Sequence, residues 1–303
     1  MTSRVALARI AGVIFLAAAA LSTPGFLSGL SLLSLLTTVS FIGCVAVGMT
    51  LITLSGNIMS LCLGVTTAAT TLVFVAVLNR AGLAVGILAA LAFGALVTAA
   101  QGWAIGRLRA NAIIVSIAAF ALIHGAAHWA TGGATSYATS GSGHEIFRMR
   151  VLGIPAEFIT FLVLLAIGQF ILSYTTFGRN VLMVGSSLRA AQAAGVRTSR
   201  TITGAYLWAG VFTAVSGILL AARYNTANME YAVGYDYDAI AAVLVGGTAI
   251  AGGQGSVLRT LGGVLVIGVV QMVLLLRGFR QEWQITIVGL VVLAMIMLQT
   301  EKR

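Results

Sequence analysis

The plainest pattern in the chain is the absence of charge: no Asp, Glu, Lys or Arg occurs from Ile10 to Asn79, none from Ala81 to Gly106, and the first acidic residue is Glu145. A bilayer core about 30 Å thick is crossed by roughly 20 mostly apolar residues in a helix. The uncharged stretches therefore predict membrane helices near residues 7–21, 32–54, 58–78, 83–105 and 112–130. A second set is predicted near 156–174, 201–222, 239–250, 261–276 and 283–298, about ten helices in all. Unsatisfied backbone cannot face lipid, and the runs lack the apolar–polar alternation of a barrel strand. The expected fold is an all-α polytopic transmembrane bundle, a single transmembrane domain over residues 1–303, with no room for a soluble domain. The segment at 239–250 is short for a span and is followed by Gly252, Gly253 and Gly255, with Gly246 and Gly247 inside it. These residues predict a half-helix that breaks within the protein, where freed backbone groups find partners.

Two polar interruptions break the apolar pattern. The first, residues 175–201, reads TTFGRNVLMVGSSLRAAQAAGVRTSRT. Its SSLRAAQAAG stretch predicts a short helix with Ser186 or Ser187 at the start and Gly195 at the end. On composition alone it is either a solvated connector or a docking surface; its small residues allow a partner to approach closely and its arginines supply charge complementarity. The second interruption, residues 231–256, runs from YAVGYDYD into the glycine cluster. A phosphate-binding loop would need a Lys after its glycines, and the chain's only Lys is Lys302. The chain cannot carry its own Walker-type ATPase, which leaves helix breaking or close helix packing through small residues.

Composition sharpens the picture: 59% of residues are hydrophobic, 8% are charged, and mean hydropathy is +1.05. The net charge of +10 does not point to nucleic acid, because the basic residues sit singly at helix ends without interleaved aromatics. Lipid headgroups are their expected partners. With both termini inside, Arg4, Arg9, Arg107, Arg109, Arg179, Arg189, Arg197, Arg200, Arg259, Lys302 and Arg303 are cytoplasmic. Arg80, Arg148, Arg150, Arg223, Arg277 and Arg280 then lie outside, with every acidic residue except Glu301. This bias favours that orientation over its inverse. Residues 1–21 resemble a signal peptide, and in a chain that never becomes soluble a start-anchor helix is expected. Cys44 and Cys62 lie in apolar runs and are expected to act as buried small hydrophobes. His124 and His128 share a helix face, yet no carboxylate lies in that segment, so helix packing or an outer interface is expected in place of a metal or proton site.

In order and spacing, Asp238-Ala239-Ile240-Ala241-Ala242, then Gly246-Gly247-Thr248, then Gly252, Gly253, Gly255 and Ser256 resemble elements of the monosaccharide-class permeases of bacterial ABC importers, the ribose type. Trp283 and Gln284 resemble that family's entry to its last helix, and the resemblance covers nearly the whole chain. Phe177, Gly178, Arg179, Gly185, Ala190, Ala191 and Gly195 resemble its cytoplasmic coupling loop, which engages a separate ATP-hydrolysing subunit. What the resemblance implies is a non-enzymatic, multi-pass inner-membrane subunit that translocates a sugar or similar polar solute by alternating access. It also implies a second permease copy or paralogue, a cytoplasmic ATPase using ATP and Mg, and a soluble solute-binding protein outside, with no cofactor held by this chain. The family's usual GGIDLSVG-like stretch reads SGNIMSLCLG here: Gly56 and Ser60 match, but Ile58 stands where Asp is usual. Ser187 replaces an Asn of the coupling loop and Arg259 a small residue. These departures fit one half of a heterodimer, and a diverged homodimer stays open.

Uncharged amides suit hydroxyl-rich neutral solutes, which makes Asn57, Gln101, Asn111, Asn225 and Gln271 the pathway candidates beside their alternative role as helix glue. The stretch from Thr131 to Gly143 reads as a flexible part of an external loop that runs to residue 155. The competing functional readings are a secondary transporter and a passive channel. The first needs mid-membrane carboxylates, and Asp236 and Asp238 fall at a segment's outer boundary. The second gives no reason for the 175–201 loop. A membrane enzyme has no catalytic constellation to rest on.

Overall fold

The computed structural model describes residues 20–57, 59–139, 143–151 and 153–300. Most of the expected 7–21 helix, with Arg4 and Arg9, lies outside the described residues, as do Ile58, Glu301, Lys302 and Arg303. Eleven α-helices occur among the described residues: α1 (Gly29–Leu54), α2 (Leu63–Ala81), α3 (Leu83–Leu108), α4 (Ala112–Thr131), α5 (Ala156–Tyr174), α6 (Thr176–Ser186), α7 (Leu188–Ala193), α8 (Thr198–Tyr224), α9 (Tyr235–Val245), α10 (Val257–Leu276) and α11 (Gln281–Thr300). Seven of them, α1 to α5, α8 and α10, are long and apolar enough to cross a membrane. The all-α polytopic expectation holds, with two small additions: β1 (Ser136–Tyr137) pairs antiparallel with β4 (Thr226–Ala227), and β2 (Arg150–Val151) with β3 (Ile154–Pro155).

Burial sorts the helices. In the most apolar stretch of α8, 78% of residues are buried, and in that of α2 72%, against 17% in α4. Helix α8 is thus the post around which the bundle is built, and α4 lies on its periphery with most of its surface exposed. Between helices in lipid the attraction comes from close packing, which small residues permit. The α3–α8 seam follows this rule. Gly94, Thr98, Gly102 and Gly106 recur every four residues on α3 and meet Ser199, Thr203, Tyr206 and Gly210 of α8. A Cβ on Gly94 would come 2.7 Å from the Gly210 carbonyl oxygen, so the two backbones touch there.

Local chemistry sets the helix ends. The Ser28 hydroxyl accepts from the Ser31 N–H at 3.2 Å to open α1, and Asn111 accepts from the Ile113 N–H at 2.9 Å to open α4. Three expectations need correction. Helix α2 begins at Leu63, not near residue 58, because residues 55–57 turn out of α1 and 59–62 are irregular. Helix α9 stops at Val245, five residues before the expected 250, because Gly247 adopts φ +88° and the chain turns back on itself. Residues 131–139 are not a free loop: Asn79 receives the Thr139 N–H at 2.9 Å and donates to the Tyr137 carbonyl at 2.8 Å, beside the β1–β4 ribbon.

Long-range links join segments that the charge bias assigns to one side. Arg223 pairs with the buried Glu157 at 3.8 Å, His144 Nε2 lies 2.8 Å from Asn225 Oδ1, and Arg277 donates to Ser22 at 3.1 Å. All six residues belong to the set expected outside or to the loops beside it.

Candidate functional site

At the opposite end from those links, three stretches far apart in sequence converge. Helix α1 ends at Leu54, and Gly56, with φ +79°, turns the chain away. The Gly253 N–H donates to the Leu54 carbonyl at 3.1 Å. Gly185, in the last turn of α6, sits against both: a Cβ there would overlap the Leu54 carbonyl oxygen and lie 2.5 Å from the Gly253 nitrogen. A Cβ on Gly252 would lie 2.6 Å from Gly56 Cα, and one on Gly253 would overlap the Ser186 hydroxyl. The two polar interruptions, read separately in the sequence, thus meet backbone to backbone under the end of α1.

The glycine turn is closed by its own hydrogen bonds. Thr248 N–H donates to Val243 at 3.2 Å, Ala249 N–H to Gln254 at 2.8 Å, and Gly252 N–H to Ala249 at 3.0 Å. Gly246 packs on the start of α10, where a Cβ would come 2.6 Å from the Arg259 carbonyl oxygen, and Gly255 packs on Thr248. Backbone freed by the end of α9 is therefore satisfied inside the protein, as a broken helix in a membrane protein requires.

The 175–201 segment holds two helices where one was expected. The Thr175 hydroxyl accepts from the Gly178 N–H at 3.1 Å to open α6, an element the sequence reading missed. Ser187, one of the two expected caps, accepts from the Ala190 N–H at 3.3 Å to open α7. Gly195, with φ +78°, follows the last turn, where the Val196 N–H reaches back to the Ala191 carbonyl at 3.0 Å. Of the coupling residues, Gly178 packs on the Ile171 and Leu172 carbonyls, Phe177 covers Gly204 of α8, and Ala191 is buried. Arg179, Ala190 and Gly195 are exposed. The segment is pinned on one face and open on the other.

The five amides do not converge within one chain. Asn57 stands by the junction, donating to Ser55 Oγ at 2.8 Å. Gln101 is buried in α3 with its Nε2 3.5 Å from Cys62 Sγ, and its Oε1 has no partner. Asn111 caps α4 and Asn225, at φ 57°, ends α8, while Gln271 hydrogen-bonds Asp238. Asp236, which the sequence reading set at a segment's outer boundary, instead reaches the first turn of α2. Its Oδ1 accepts from the Gly64 N–H at 2.8 Å, capping α2 from 172 residues away. Two carboxylates opening a helix were visible in the sequence, but nothing local tied them to α2. Cys44 and Cys62 are free and buried, and the His124 and His128 rings meet at 4.5 Å between centroids with their planes tilted by 44°. Among the described residues no three His, Cys, Asp or Glu side chains form a metal-binding group.

Comparison with known proteins gives these features a setting. A family model described as branched-chain amino acid transport system / permease component matches residues 31–296. The ribose import permease protein RbsC of Bacillus subtilis (strain 168) is 30% identical over 286 residues, 92% of this chain and 87% of its own. The L-arabinose transport system permease protein AraH of Escherichia coli (strain K12) is 29% identical over 297 residues, covering 96% and 88%. The probable ABC transporter permease protein YphD of the same strain is 40% identical over 146 residues, which is 48% of this chain and 44% of that protein. No solved structure gives a significant match.

Proposed function

We propose, since this chain belongs to the branched-chain amino acid transport system / permease component family, that it is the membrane-spanning subunit of an ATP-binding cassette importer in a bacterial inner membrane. Its cargo is a sugar or similar small neutral solute, the class named in the ribose and arabinose relatives. Its partners are a cytoplasmic ATPase, a second permease copy or paralogue, and a solute-binding protein outside. ATP and Mg are used by the ATPase, and this chain holds no cofactor.

The observation that carries this reading is the seat of the 175–201 segment. Helices α6 and α7 press Gly185 onto Leu54 and Gly253, so a push on their exposed face is delivered to the ends of α1 and α9 without a flexible intermediary. An ATPase docked on Arg179, Ala190 and Gly195 has a rigid lever into the bundle. The amides do not line a path within one chain, so a path for a hydroxylated solute would form between two copies. Coupling is then a two-state motion of packed helices biased from below.

The test is uptake into proteoliposomes that hold the purified chain, with the ATPase, the binding protein and entrapped ATP added in turn. Uptake of labelled ribose or arabinose that needs all three additions is expected, with labelled leucine left behind. Proton-driven uptake by the chain alone would replace this reading with a secondary transporter, and gradient-driven leakage with a channel. Replacing Arg179 by Gln is expected to lower co-purification of the ATPase severalfold, since the exposed guanidinium supplies the charge complementarity there.

A further inference from the structure

Where the last turns of α3 run beside the first turns of α8, a groove of about 740 Å³ opens on the flank of the bundle. Arg107 comes from α3, and Arg197 and Arg200 from the entry of α8; Thr203 lies above them, with Trp103 and Leu207 above that. None of the three guanidinium groups takes part in an ion pair among the described residues. No carboxylate lines the groove. Three cations held together with no counter-ion of their own repel one another unless an anion is supplied from outside.

The groove's upper wall says which anion. Trp103 is 54% exposed and Leu207 38%; along their helices Trp103 lies one turn inward from Arg107 and Leu207 two turns inward from Arg200. From Arg200 to Leu207 a helix rises about 10 Å, enough to pass from headgroup depth into acyl chains. Basic pockets between membrane helices accept anionic lipid headgroups, and tryptophan favours that boundary. The N–H groups at the start of α8 and the planar guanidinium groups both suit phosphate oxygens. A protein surface docking from below would meet the arginines but leave Trp103 and Leu207 uncovered.

We propose that this groove is a binding site for one anionic phospholipid, its phosphodiester held by Arg107, Arg197 and Arg200 and its acyl chains laid along Trp103 and Leu207. The site lies outside the glycine junction and stands whether or not the transport reading holds.

Native mass spectrometry of the purified full chain, exchanged into dioleoyl phosphatidylglycerol or dioleoyl phosphatidylcholine, tests it. Retention of phosphatidylglycerol in preference to phosphatidylcholine is expected. Replacing Arg107, Arg197 or Arg200 singly by Gln is expected to lower that retention about fivefold each. R80Q, at the other end of the bundle, leaves it unchanged. W103A and L207A weaken retention of the long-chain lipid but not of a dibutyryl analogue, which separates loss of the site from loss of the fold. Equal retention of both lipids, or unchanged retention in the three arginine variants, overturns the proposal. Displacement of the lipid by millimolar inorganic phosphate, with no effect of W103A or L207A, would make this a free-phosphate site and also overturn it. So would arginine variants that lose ATPase co-purification while keeping the lipid.

Discussion

The two ends of this bundle are closed by different chemistry. At the inner end Gly185, Gly252, Gly253 and Gly56 bring main chains into direct contact, with the Gly253 N–H bonded to the Leu54 carbonyl, and side chains only supplement this where Gln169 accepts from Ser256 Oγ and the Leu258 N–H and Thr50 meets Thr260. At the outer end the fastening is made by side chains and short ribbons: Arg223 to Glu157, His144 to Asn225, Arg277 to Ser22, and the two strand pairs. Side-chain fastenings are individually modest and spread over many residues, so each can be lost with limited damage. Backbone contact has no slack, because the atoms that would have to move belong to helices. Under the proposed function, an inner end driven by an ATPase would benefit from the second kind, and an outer end that receives solute would benefit from the first.

Substitutions at the two ends, and at the α2 cap between them, put numbers on this contrast. The largest effect is expected for Gly185→Val, whose Cβ and methyl groups would enter the Leu54 carbonyl and Gly253 nitrogen. Overpacking against immobile backbone is expected to cost about 3 kcal/mol. It should appear as loss of monodisperse protein on gel filtration and a lowered thermal midpoint, with Gly185→Ala intermediate. Wild-type behaviour of Gly185→Val would mean that the inner end is loose. Asp236→Ala comes next: it removes the carboxylate that caps α2 and is expected to cost about 1 kcal/mol, the usual worth of such a cap. Faster hydrogen exchange confined to the first turn of α2 would identify the cause. The smallest effect is expected for the double variant Glu157→Gln with Arg223→Gln. Glu157 is buried and Arg223 about two-fifths exposed, so their pair at 3.8 Å gains little over its desolvation. The change should stay within about 1 kcal/mol, whereas Arg223→Gln alone, which strands a buried carboxylate, should be the more damaging.

Much of this architecture was legible in the order of residues. The span at 156–174 matches α5, and the helices near 32–54, 83–105 and 112–130 lie within a few residues of α1, α3 and α4. Each is a long apolar run whose helical state is imposed by lipid, with no competing signal. The Ser187 cap and the Gly195 stop were also readable, because both act over three or four residues. What failed depends on distant partners. The irregular stretch before α2 is apolar and uncharged and looks like the start of a span, but the cap that fixes where the helix begins is Asp236. Helix α6 hides in a polar, glycine-bearing segment, because Gly178 and Gly185 are there for neighbours on α5, α1 and the glycine turn. The 131–139 stretch is rich in Gly, Ser and Thr and reads as a linker; Asn79, some 60 residues earlier, holds it in place. The glycines of both interruptions were singled out, but their meeting was not, since no periodicity encodes a contact between residues 185 and 253.

Gly185 also bears on how this protein can change over generations. Every substitution of glycine adds at least one carbon, so a position whose first added carbon already strikes a carbonyl has no neutral neighbour among the nineteen alternatives. A saturation library at Gly185 should return almost nothing but the parent residue, while one at exposed Arg80 should return a broad alphabet. Variation that adapts the protein to new cargo must then accumulate away from the inner junction, which acts as a fixed datum against which the remainder drifts.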